Sequence, residues 1–174
     1  ADFDLSIAAY VPPVGPTPIA VFPFTENFDG GSFPTEITSI SQTESSVTVS
    51  ADAANASAFG VMLEGGSSTG WTGGSTSTTY DQAFVDNADH IGELWMTVTP
   101  DPAGVGYLTM SFDMRQNFSF GYTYEFFRVL VDGTPIADIN GNTVWNPVTA
   151  DADLWQSLTF DLTAFQSLAS FDIL

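Results

Sequence analysis

Apolar and polar residues alternate along this chain. From Leu108 to Met114, Leu108, Met110, Phe112 and Met114 fall on one side, and Thr109, Ser111 and Asp113 on the other. A period of two sends successive side chains to opposite faces of a β-strand. Ser46-Val47-Thr48-Val49-Ser50 alternates in the same way. Glu93 to Val98 sets Leu94, Met96 and Val98 against Trp95 and Thr97. Ala58 to Leu63 is a short apolar run, and Tyr122 to Asp132 is long and aromatic, suited to a central strand apolar on both faces. Asp132-Gly133 reads as a tight hairpin turn into Thr134 to Ile139, and Asn140-Gly141 as a second turn. Leu154 to Leu162 and Ala169 to Leu174 complete the set. Helical spacing of apolar residues is never sustained without Gly, Pro or β-branched interruption. The pattern predicts an all-β fold, an antiparallel jelly-roll β-sandwich.

Two stretches break the pattern. Residues 1–21 carry Pro12, Pro13, Pro16 and Pro18, with Pro23 just beyond. Val11 to Ile19 therefore reads as a stiff extended linker, and Asp4 to Ala8 as a short strand at the end of a preceding domain. The sandwich is expected over 22–174. Residues 64–82 form a Gly-, Ser- and Thr-rich loop, of a length associated with function or mobility. Ser170 to Leu174 reads as a strand cut partway, so the sandwich is read as truncated at its C-terminus and part of a longer protein.

Charge narrows the partners. Two cations, Arg115 and Arg128, stand against 21 acidic residues, for a formal net charge of -19. Such a surface repels phosphate backbones and anionic lipid heads, which argues against nucleic acid and membrane partners. It attracts cations, calcium first among them, unless the charge serves only solubility in a salty medium. No apolar stretch approaches the length of a membrane span. With no cysteine, the domain holds itself by packing or by metal.

The order of segments adds a family likeness. Phe22-Pro23-Phe24-Thr25-Glu26-Asn27-Phe28-Asp29, followed by Gly30, Gly31 and Phe33-Pro34, resembles the opening of MAM-like and cleaved-adhesin-type jelly rolls. Leu108 to Asp113 is similar to their central strand, and Phe126 to Asp132 to the strand after it. Trp155 to Leu162 and Phe171-Asp172-Ile173 are similar to their late strands. The resemblance covers 22–174 and lacks the acidic closing strand usual in that family, which puts a metal site in doubt. It implies an extracellular module of a multidomain bacterial surface protein, adhesive or binding glycan or protein, with neighbouring domains on the same polypeptide.

Three kinds of chemistry are open. For calcium, Glu26 and Asp29 near the first strand and Asp113 on the central strand would converge at one sheet edge; the plainer reading is solvated surface acids. Asp138-Ile139-Asn140-Gly141-Asn142 spaces its oxygens like the start of a calcium loop, but it lacks the closing glutamate and reads better as a turn. For a carbohydrate-binding module of a secreted enzyme, Trp71 and Tyr80 in the Gly-rich loop, and Trp145 in another, would supply stacking rings. The plainer alternative is that Trp71 folds back over the sandwich. Trp95 and Trp155 read as core. Arg128, between aromatic residues, is expected half-buried with a carboxylate partner. Catalysis has little to work with: His90 is the sole histidine, no G-x-S-x-G elbow exists, and no strand carries two inward acids. The chain is therefore read as a non-enzyme. A third role, a subunit or cargo domain of a secretion or filament assembly, would use the Pro-rich start and the cut end as junctions.

Overall fold

The computed structural model describes residues 14–65, 90–101, 103, 106–116, 126–145 and 154–174. Among these the chain is built of antiparallel strands with 3₁₀ turns and no α-helix. The strands are β1 (Thr38–Ser41), β2 (Ser46–Ser50), β3 (Gly60–Glu64), β4 (Gly92–Val98), β5 (Thr109–Met114), β6 (Leu130–Val131), β7 (Thr134–Pro135), β8 (Gln156–Asp161) and β9 (Phe171–Ile173). Five of them form one sheet in the order β1-β4-β9-β6-β7, while β2–β3 and β5–β8 form two-stranded ribbons. The all-β class expected from period-two patterning holds.

The alternation works as the sequence requires. In β5, Thr109, Ser111 and Asp113 are exposed, while Met110, Phe112 and Met114 are half-buried and packed against the core. Opposite them β8 buries Leu158 and Phe160. The five-stranded sheet contributes Val98, Val131, Phe171 and Ile173 to the same cluster. The ribbon and the sheet therefore share one apolar interior. Phe160, 0% exposed, sits at its centre, stacked on Phe112 with centroids 5.8 Å apart and edge-on to Trp145 at 5.5 Å.

The hairpin between β6 and β7 turns on Asp132 and Gly133, whose φ values of 48° and 75° are those of a type I′ turn. Asp132 then couples the turn to β9. Its N–H donates to the Asp172 carbonyl at 3.0 Å, and its carboxylate accepts from the Asp172 N–H at 2.9 Å. The long strand expected over Tyr122 to Asp132 is much shorter: within the described part only Leu130–Val131 is strand. Phe127 instead forms an isolated antiparallel bridge to Trp145, each donating an N–H to the other's carbonyl at 2.9 Å.

The stretch read as a linker is in part integral to the sheet. β1 occupies one edge of β4 only as far as Trp95. Ile19 takes the same edge beyond it. Its N–H donates to the Thr97 carbonyl at 2.8 Å, and its carbonyl accepts from the Thr99 N–H at 2.9 Å. Ile19 is buried, and Gly15 lies so close to the Trp95 indole that a Cβ there would stand 3.2 Å from the ring. Pro16 and Pro18 suit such a segment, because proline fixes an extended backbone without needing a ladder donor. A boundary after residue 21 would cut through this pairing.

Truncating Phe160 to Ala should cost about 3–5 kcal/mol, the cavity penalty of a fully enclosed aromatic, and lower the melting midpoint by roughly 10 °C or more. Thermal denaturation followed by circular dichroism checks this. The exposed Leu154→Ala, treated alongside, should change the midpoint little.

Candidate functional site

The candidate site is a groove where four chain segments end beside one another. It is lined by Phe22, Pro100, Asp101, Gly106, Tyr107, Leu108 and Gln166, and has a volume of about 190 Å³, with one side open to solvent. Each lining segment is anchored by a neighbour already described. Phe22 lies three residues past the Ile19 bridge to β4. Pro100, buried, and Asp101 follow directly from β4. Gly106 to Leu108 lead into β5. Leu108 is fixed twice: its carbonyl accepts from the Leu162 N–H at 2.8 Å, and its N–H donates to Thr163 Oγ1 at 3.2 Å. Gln166 closes the 3₁₀ turn Thr163–Phe165, its N–H donating to the Thr163 carbonyl at 3.2 Å.

Two rings are presented there. Tyr107 is 87% exposed and Phe22 42% exposed, against a buried Pro100 and a half-buried Leu108. Asp101 is exposed, and one carboxylate oxygen accepts from the Ala103 N–H at 2.9 Å, which orients the group. Asp161, at the end of β8, holds the Thr163 turn. Hydrogen bonds from the Thr163 hydroxyl and then its N–H keep the Asp161 carboxyl below the ordinary carboxylate range.

The acids singled out for calcium are engaged otherwise. Glu26 accepts from the Phe28 N–H, and the N–H of Asp29 and the amide of Asn27 close a local turn with each other's side chains. Asp29 also accepts from the Ala58 N–H at 2.8 Å. Asp113 accepts from the Asn55 amide at 2.8 Å and from the Ser157 hydroxyl. Asp29 and Asp113 thus both tie down the segment from Asn55 to Ala58 rather than converging with Glu26. Among the described residues no group of three or more His, Asp or Glu side chains is arranged to hold a metal.

Trp145 is a core residue. It is 8% exposed, its backbone bridged to Phe127 and its ring wedged between Phe127 and Phe160. The sequence expectation of a loop ring available for stacking is corrected. The polar neighbours Asn142 and Asn146 suggested a loop, and nothing local announced the pairing with Phe127. Trp71 and Tyr80 lie outside the described residues. Trp95 is half-buried against Gly15, and Trp155 lies under the Arg115 guanidinium, 5.3 Å from its ring centroid. Arg128 is half-buried, as expected, with its guanidinium 5.5 Å from the Phe126 centroid. Tyr107 and Phe22 were not anticipated as a pair. Each follows or precedes a glycine or proline, but only the tertiary fold brings them to one groove.

The Asp138 loop is a turn, as the Asn-Gly pair indicates. Gly141 has φ 88°, and the Asp138 carboxylate accepts from the N–H groups of Asn140 and Asn142 at 2.9 and 2.8 Å, and from both amides at 3.3 Å. Burial alone would raise its pKa, but the donors from Asn142 and Asn140 outweigh it and hold the group below the usual value. Glu93 shows the opposite case: burial pushes its carboxyl up.

The chain matches no protein-family model, and neither a curated protein nor a solved structure shows significant similarity to it. The described residues define an all-β protein in which the five-stranded sheet and the β5–β8 ribbon share one core. No helix among the described residues is long and apolar enough to cross a membrane.

Asp138→Asn tests the turn. The new amide would set an N–H₂ against the donors of Asn140 and Asn142. The midpoint at pH 7 should fall by about 5 °C. A depressed folded-state pKa contributes stability that is complete above the unfolded value, near 3.8, and is lost as pH falls through the folded value. The gap between the two proteins should therefore narrow as pH drops below that point. Melts across an acid pH series measure it.

Proposed function

We propose that this chain is a non-catalytic binding module that works at a cell surface, and that the Phe22–Tyr107 groove is its contact site. The observation that carries the reading is the pair of exposed rings held over an apolar floor by four separately anchored segments. Solvent-facing aromatics on a rigid β scaffold are the usual anchors of recognition surfaces, and an exposed tyrosine adds a polar edge. The sheet order, in which β9 lies between β4 and β6, supports a jelly roll, since that fold needs such long crossovers. The likeness of the Glu26–Asp29 opening and the Trp155–Leu162 strand to MAM-like and cleaved-adhesin modules favours an extracellular adhesive role in a larger bacterial surface protein.

Beads coated with the purified chain should adhere to collagen-coated surfaces. The Phe22→Ala/Tyr107→Ala double substitution should reduce retention severalfold while leaving the melting midpoint within a few degrees, because both side chains are largely exposed. Undiminished retention would remove the groove from this role.

Calcium enters the reading as a diffuse counter-ion for a formal charge of -19, not as a ligand of Glu26, Asp29 and Asp113. CaCl₂ and NaCl matched for ionic strength should raise the melting midpoint equally, since both screen the same self-repulsion. An extra rise with calcium, reversed by a chelator, would instead demand a bound ion.

A further inference from the structure

We propose that the groove takes an uncharged sugar ring of a glycan, with the ring face of Tyr107 stacked on the pyranose and Asp101 accepting from its hydroxyls. This rests on the binding reading above and names its ligand class.

Four features on the molecule point to this chemistry. Tyr107 is 87% exposed, leaving a flat apolar face and a hydroxyl edge open to a ligand that is itself apolar on one face and polar at its rim. The Asp101 carboxylate uses one bond to the Ala103 N–H for orientation and retains further acceptor positions. A sugar, rich in O–H donors, supplies what such positions need. Gln166 adds an amide-bearing residue to the lining. Beside the ring, Gly106 presents no side chain, and nothing lies within 4 Å of where a Cβ would stand. That leaves space for a substituent next to the stacked ring.

Charge selects within the sugars. Among the described residues the groove lining contains no cation and one carboxylate, in a chain of formal charge -19. Uronic, sialic or sulfated sugars would meet repulsion without a compensating donor. Shape selects as well. A groove of about 190 Å³, open on one side, suits a single ring of a glycan rather than a larger ligand. With little of the ligand enclosed, affinity for one site should be weak, on the order of millimolar.

The test is an NMR titration of the isotope-labelled chain with neutral hexasaccharides (cello-, manno-, laminari- and chito-oligosaccharides), with oligogalacturonate as the anionic arm. At least one neutral oligosaccharide should shift the amides of Gly106, Tyr107 and Leu108. Tyr107→Ala should weaken that binding about tenfold, Tyr107→Phe about twofold or less, and Asp101→Asn severalfold. Oligogalacturonate should bind more weakly than the neutral ligands. Leu154→Ala, exposed and away from the lining, should bind like the parent. Absence of shifts at 106–108 with every neutral oligosaccharide overturns the proposal, as does neutral-glycan binding indifferent to Tyr107→Ala. If those failures coincide with groove-dependent adhesion to collagen, the ligand class is wrong and the binding reading stands. If adhesion is also indifferent to the groove, both fall.

Discussion

Phe160 makes the rest of the structure intelligible. One fully enclosed ring stacks on Phe112 of the paired strand, meets Trp145 edge-on and shares one apolar cluster with Val98, Val131, Phe171 and Ile173, so the β5–β8 ribbon cannot leave the five-stranded sheet without opening a large apolar void. With no disulfide available, this cluster carries the cross-link between layers by packing alone. Its consequences run outward along both strands. β8 continues into Leu162 and the Thr163 turn, Leu108 immediately precedes β5, and hydrogen bonds between those two ends hold the floor of the groove. The exposed rings are thus indirect products of core packing: Tyr107 stands one residue before the anchored Leu108.

The groove's other wall comes from an element that breaks the usual rule of antiparallel pairing. Ile19 joins β4 in parallel, on the length of edge that β1 leaves uncovered. Proline-flanked segments are poor ladder partners, and here only one residue, Ile19, bonds the strand in both directions. Together with Thr17, whose N–H donates to the Thr35 carbonyl at 2.8 Å, Ile19 fixes the segment that brings Phe22 into the groove with Tyr107. A site assembled in this way depends on a distant pairing rather than on any local motif.

That dependence explains what was legible in the sequence. Strands with clean alternation, β2, β4, β5 and β8, lie within a few residues of where the pattern puts them, because side-chain period alone decides which face is buried. The Asp132-Gly133 hairpin was legible because its positive φ values demand those residues. β1 was not: Thr38 to Ser41 is short and polar, and becomes a strand only through pairing with β4. Tyr122 to Asp132 misled in the other direction, since its aromatics signal burial without saying whether the burial is by ladder or by packing. Trp145 misled for the same reason. The groove was illegible altogether, because its residues come from four parts of the chain and carry no shared spacing.

The acidity itself acquires a structural logic. With two arginines for 21 acids, ion pairing cannot satisfy these carboxylates. Neutral donors do so instead. Asp138 collects the N–H groups and amides of two asparagines, Asp161 the N–H and hydroxyl of Thr163, Asp132 the Asp172 N–H, Asp29 the Ala58 N–H, and Asp113 an amide and a hydroxyl. A carboxylate bonded to neutral groups keeps its full charge, whereas a salt bridge would cancel it. The turns are therefore stapled by the same groups that make the surface strongly negative, and the two properties cannot be separated by mutation at those sites. Repulsion among them is diffuse and screened by salt, while the hydrogen bonds are short-ranged and persist. The surface can then repel anions over a long range without loosening the loops.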